Sequence, residues 1–111
     1  MPVKYNSDLY KLKAELCKTF SDAKRLMIIS ELRGGEKSVG DLAEILELPQ
    51  AVVSRHLAVL RSRGIVSTRR KGLNIYYRLT DVKIIVACDI VHEILLDQVA
   101  KNREMADKLL V

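Results

Sequence analysis

Gln50, Ser54, Arg55 and His56 put four hydrogen-bonding side chains into one short run, and Arg69, Arg70 and Lys71 follow as three consecutive cations. Glutamine can bond bidentately to adenine and arginine to guanine, and serine serves either a base or a phosphate, so the first group suits contact with base edges. A run of cations suits phosphates or an adjacent minor groove and supplies affinity rather than sequence choice. The surrounding charge has the same slant. Positions 1–48 carry eight basic and eight acidic residues, and positions 81–111 carry four basic and six acidic ones. Positions 49–80 carry seven basic residues (Arg55, Arg61, Arg63, Arg69, Arg70, Lys71 and Arg78) and no Asp or Glu. The excess of +5 therefore arises in one window, the footprint expected of a surface that meets a polyanion. Membrane phospholipid is one such polyanion, but Gly64 and Gly72 interrupt the window, which is not a continuous basic amphipathic helix. Nucleic acid is favoured.

Bond-breaking chemistry finds little support. There is no evident Ser/His/Asp set, paired carboxylate in a cleft or glycine-rich phosphate loop, and the chain has two histidines, so neither an enzyme nor a cofactor is expected. Two cysteines, Cys17 and Cys88, without C-x-x-C spacing make neither a disulfide framework nor a zinc ribbon. The length of 111 residues, with 49% hydrophobic and 30% charged residues, fits one domain spanning 1–111. Its longest apolar run, Ile84 to Cys88, is far short of the roughly 18–20 residues that cross a bilayer, and no signal-peptide pattern opens the chain, so no membrane partner and a cytoplasmic setting are expected.

The elements that must position these residues follow from periodicity and punctuation. Tyr5, Leu9, Leu12, Leu16 and Phe20 recur at helical steps and predict a first amphipathic helix ending near Ser21-Asp22. Ala23 to Arg33, with Leu26, Ile29 and Leu32 on one stripe, predicts a second, closed by Gly34-Gly35. Asp41 to Leu46 is a short third helix. Pro49 suits the first turn of a fourth, whose buried stripe is Val52, Val53, Leu57 and Leu60 and which runs to Gly64. From Ile65 the β-branched and aromatic residues on either side of Gly72-Leu73-Asn74 predict a β-hairpin ending at Leu79. Thr80-Asp81 caps a long last helix through Ile84, Cys88, Val91 and Leu95, with a tail carrying Met105 and Leu109. The expected fold is mainly α with a β-hairpin wing, a winged helix-turn-helix, in which Gln50, Ser54, Arg55 and His56 occupy the N-terminal half of the helix that enters the major groove. A packing role for His56 and a plain solvated role for Gln50 are the competing readings.

The stretches LCKTFSDAKRLMIISEL (Leu16 to Leu32), VGDLAEILELPQAVVSRHLAVL (Val39 to Leu60) and RGIVSTRRKGLNIYYRLTD, with S-R-H-L-x-x-L at Ser54 to Leu60, resemble the ArsR/SmtB family of prokaryotic transcriptional regulators over roughly residues 8–98. The resemblance implies a homodimeric repressor that pairs through its first and last helices, binds a partly palindromic double-stranded DNA operator, and lets go when an inducer binds. A winged-helix module for protein or RNA interaction, without an inducer, is the alternative.

The inducer is unknown. Family members often sense metal through an L-C-V-C-D-L pattern, but the corresponding stretch here is Lys37-Ser38-Val39-Gly40-Asp41-Leu42, with no thiolate. A second family site begins D-x-H, where this chain has Asp81-Val82-Lys83, and its later positions correspond to Ile94 and Asp97. An ammonium and an isoleucine cannot replace two imidazoles as zinc ligands, so no metal is expected and Asp81 reads as a helix cap. Cys17, Cys88 and His92, the last one turn beyond Cys88, remain as candidates for a redox or inducer-sensing site: a reversible disulfide, a persulfide link or a soft metalloid site. Core packing of both cysteines is the competing reading.

Overall fold

The computed structural model describes residues 5–109, so positions 1–4, 110 and 111 of the expected 1–111 domain lie outside the described residues. By backbone proximity the chain forms two compact units that divide between Thr80 and Asp81.

The first unit holds α1 (Ser7–Thr19), α2 (Ala23–Leu32), β1 (Lys37–Ser38), α3 (Val39–Leu46), α4 (Gln50–Ser62), β2 (Val66–Lys71) and β3 (Asn74–Leu79). Each of the first three helices starts on a side-chain cap. Asn6 Oδ1 accepts the Leu9 N–H at 3.0 Å, and Asp22 Oδ1 accepts those of Lys24 and Arg25 at 2.9 and 3.1 Å. Ser38 and Asp41 form a reciprocal capping box, which starts α3 two residues before the expected Asp41. Pro49 lies just outside α4, at its N-cap, rather than within the first turn. Glu47 closes α3 in the left-handed conformation at φ 54°, a conformation costly for a residue with a Cβ.

The core is Ile28, Ile29 and Leu32 of α2, Leu42 and Ala43 of α3, Val53, Leu57 and Leu60 of α4, and Ile65 and Val66 at the root of the hairpin. Two details differ from the expected stripes. Leu26 is exposed and Ile28 takes its place in the core, because α3 and α4 both pack on α2 and cover a wider arc of it than one stripe. Val52 is only half-buried. The hairpin is as expected but gains a third strand: Lys37 and Ser38 pair with Tyr77 and Tyr76, giving the antiparallel order β1-β3-β2. A two-residue strand is too short to show a period, which is why β1 is invisible in the sequence. The fold is a winged helix-turn-helix, with α3 and α4 joined by a tight turn and β2-β3 as the wing.

The second unit is helical: α5 (Val82–Lys101) and α6 (Arg103–Leu109). Asp81 Oδ1 accepts the Lys83 N–H at 2.8 Å, so Asp81 is the cap of α5. The tail that carries Met105 and Leu109 forms a separate helix, because the Asn102 backbone is extended and its side chain accepts the Met105 N–H at 3.2 Å to start α6. Among the described residues no helix is long and apolar enough to cross a membrane.

Candidate nucleic-acid interface

The helical period divides α4 into two faces. Val53, Leu57 and Leu60 are buried, whereas Gln50, Ser54 and Arg55 are exposed at its N-terminal half with no acidic side chain in the helix. Three of the four expected base-reading residues thus share one open surface. The fourth does not. His56 faces α2 and its side chain is 12% exposed, with Nε2 at 4.0 Å from Asp22 Oδ1 and Nδ1 at 3.4 Å from an Arg25 Nη1. A guanidinium has donors alone, so Nδ1 is the acceptor in that contact, and the proton of the neutral ring then belongs on Nε2, toward the carboxylate.

Arg25 does more than hold this ring. Its Nε donates to the Thr19 carbonyl at 2.7 Å and its Nη2 to the Lys18 carbonyl at 3.2 Å, so it closes the C-terminal end of α1 while it orients α4. A second link, from Arg63 Nη2 to Glu15 Oε2 at 2.8 Å, ties the far end of α4 to α1. The Arg25 backbone N–H holds the Asp22 carboxyl below its usual range, and the nearby His56 lowers it further.

In the wing, strand register separates the Arg69-Arg70-Lys71 run. Arg69 pairs with Tyr76, Arg70 with Ile75 and Lys71 with Asn74, so Arg69 and Lys71 point to one face together with Arg78, and Arg70 points to the other. The first face is not acid-free in space. Glu36, from the segment before β1, receives both the Arg69 Nε, at 3.1 Å, and an Arg69 terminal nitrogen. Arg69 holds the Glu36 carboxyl below its usual range, with Arg78 and Lys71 adding to the effect, and Glu36 in turn raises the Arg69 guanidinium. Sequence reasoning missed Glu36 and Arg25 because neither lies in the basic window. Their type was the signal, and the surfaces of most proteins carry such charged residues. Arg78 Nε donates to Ser67 Oγ at 3.2 Å across the same face. The wing root is closed by Thr80, whose Oγ1 donates to the Gly64 carbonyl at 2.7 Å. At the tip Gly72, with φ 62°, occupies the first position of a two-residue turn, where a side chain would be strained, and Leu73 takes the second.

The candidate sensing residues fall in different units. Cys17 is exposed on α1 in the first; Cys88 is half-buried and His92 exposed on α5 in the second. Neither cysteine is in a disulfide. Among the described residues no group of three or more His, Cys, Asp or Glu side chains could hold a metal ion.

A family profile described as "Bacterial regulatory protein, arsR family" matches residues 22–68, which run from the Asp22 cap through α4 into β2. The chain is 47% identical over 70 residues to the biofilm growth-associated repressor of Xylella fastidiosa, a match covering 63% of this chain and 61% of that protein. It is 35% identical over 79 residues to the transcriptional activator HlyU of Vibrio cholerae, covering 71% of this chain and 73% of HlyU. Among solved structures, the homodimeric winged helix-turn-helix DNA-binding domain of a possible ArsR-family regulator from Mycobacterium bovis superposes with a TM-score of 0.73 at 26% identity, covering 88% of this chain and 92% of that one. These relatives are regulators of transcription, not enzymes, and with them this chain belongs to the arsR family of bacterial regulatory proteins.

Proposed function

We propose that the chain is a sequence-specific repressor that binds a duplex operator as a homodimer in the cytoplasm. The observation that carries this reading is the open, acid-free face of α4, where Gln50, Ser54 and Arg55 stand together, with Arg70 and Lys71 exposed on the wing. Gln50 and Arg55 are the base readers, Ser54 a base or phosphate contact, and the wing cations hold the backbone. His56 serves by fixing the angle at which α4 is presented.

Dimerisation accounts for apolar surface that each unit leaves uncovered. On α1 Leu9, Leu12 and Leu16 are exposed, and on α5 Val82, Val86, Ile90 and Ile94 recur every four residues in the open, next to Val91 and Leu95. Exposed stripes of this length are the mark of an interface, and a two-fold pair would present two α4 helices to the two halves of a palindrome. The Xylella relative is named a repressor and HlyU an activator, so the sign of regulation rests on where the operator lies relative to the promoter. For a thiol-directed inducer Cys17, exposed on α1, is the more accessible thiol, and Cys88 and His92 on α5 are further candidates.

Fluorescence anisotropy on duplex DNA from upstream of the gene, with thiols reduced and then after mild oxidation or polysulfide, tests the whole reading. Tight, sequence-preferring binding that is lost on oxidation and regained with reductant supports it, and serine substitution of each cysteine then assigns the thiol. Unchanged binding on oxidation returns both cysteines to packing. Absence of preference for any duplex removes the repressor itself.

A further inference from the structure

Leu73 is 99% exposed, the most exposed of the large hydrophobic residues described. It stands at the end of the wing, in the two-residue turn that joins Lys71 to Asn74, with Arg70 and Ile75 as the next pair down the ribbon. Scattered apolar residues on a surface are ordinary, but most of them lie against neighbours that hide part of their area. This one touches almost nothing of its own chain. Its neighbours in register are Lys71 and Asn74 and then Arg70 and Ile75, one further apolar side chain among two cations and an amide. That mixture fits a polyanion with an apolar interior better than an apolar protein surface: the minor groove of a duplex, lined by phosphates outside and by stacked bases within. Beyond the last strand pair stands only the two-residue turn Gly72-Leu73, a single side chain to fit a groove about 6 Å wide.

We infer that Leu73 is a wedge that enters the minor groove beside the operator core, pressing on a base step while Arg70 and Lys71 hold the flanking phosphates and Asn74 meets the groove-edge acceptors. The inference rests on the proposed operator binding and deepens it, because it assigns the wing a share of sequence selection. An inserted leucine partly unstacks the step it meets, so steps that unstack easily, such as TA and CA, are favoured over stiff A-tracts at that position. The protein would then select flanking sequence without a hydrogen bond to it.

The test is selection of duplexes from a random library by wild-type protein, Leu73→Ser and Leu73→Met in parallel, followed by anisotropy on the selected site with flanks of TA, A-tract or GC steps. A 2-aminopurine placed at the flanking step reports unstacking. Wild-type and Leu73→Met proteins should select the same core with a flexible flank and brighten the 2-aminopurine. Leu73→Ser should keep the core, lose the flank preference and the fluorescence rise, and bind the preferred duplex about tenfold more weakly, as losing burial of one leucine implies. Equal flank preference in all three proteins overturns the inference, as does a uniform loss on every flank. So does a change confined to oligomeric state, which would make Leu73 a contact between copies. If the wild-type protein selects no core at all, the operator reading fails first and the wedge falls with it.

Discussion

Arg69, in the stretch of sequence without an acid, donates through two of its nitrogens to the carboxylate of Glu36, 33 residues earlier in the chain. The pair ties the wing to the segment between α2 and β1 and occupies one of the wing cations on the face it shares with Lys71 and Arg78. Glu36→Gln should free that cation for phosphate. Affinity for random-sequence DNA should rise and the slope of log affinity against log salt should steepen by about one unit, since one more phosphate contact releases about one more counterion. An unchanged salt slope would mean that Arg69 already leaves Glu36 when DNA binds.

The same pair makes a pH prediction. Arg69 lowers the Glu36 carboxyl below its ordinary 4.5 in the folded protein, so the pair's contribution is complete above that value and disappears as pH falls through the depressed folded value. In Arg69→Ala, Glu36 should titrate closer to 4.5, and NMR of the side-chain carboxyl reads this directly.

Arg55 and Arg70 should fail differently. Arg55→Ala should cost about 1–3 kcal/mol of binding on the operator and much less on random DNA, whereas Arg70→Ala should weaken both alike and flatten the salt slope. Equal losses on both sequences for Arg55→Ala would remove it from the base readers.

His56 should behave as part of the body of the protein. Removing the ring in His56→Ala leaves Arg25 without its α4 partner and should lower stability by about 1 kcal/mol, or Tm by roughly 4 °C, while Arg55→Ala leaves Tm unchanged. Base preference should survive in His56→Ala, with affinity reduced evenly across sequences. A changed preference at a single base position with Tm intact would instead make His56 a reader.

Glu47 closes α3 at φ 54°, where glycine carries no Cβ penalty. Glu47→Gly should therefore stabilise the fold by about 0.5–1 kcal/mol after the entropy lost by glycine on folding, and thermal unfolding should show a higher Tm. A lower Tm would place an unrecognised contact on the Glu47 side chain.

The elements of this protein were legible in its sequence because the signals that specify them are local. Apolar spacing within one turn, Asp22 at a helix start, Pro49 near the start of α4 and Gly72 in the hairpin turn each act over a few residues, and together they imply the winged helix-turn-helix and the exposed Gln50, Ser54 and Arg55, whereas the Ser38 cap starts α3 two residues earlier than expected. Local signals do not say what meets across the fold. That His56 turns to Arg25 and Asp22, that Ile28 rather than Leu26 completes the core, and that a two-residue β1 completes the sheet were decided by packing between distant segments. The separation of Arg69 from Arg70 is intermediate, since strand alternation follows from the sequence once the hairpin is known. Its capture by Glu36 does not, because an ion pair depends on distance in space, and only the fold brings position 36 to position 69.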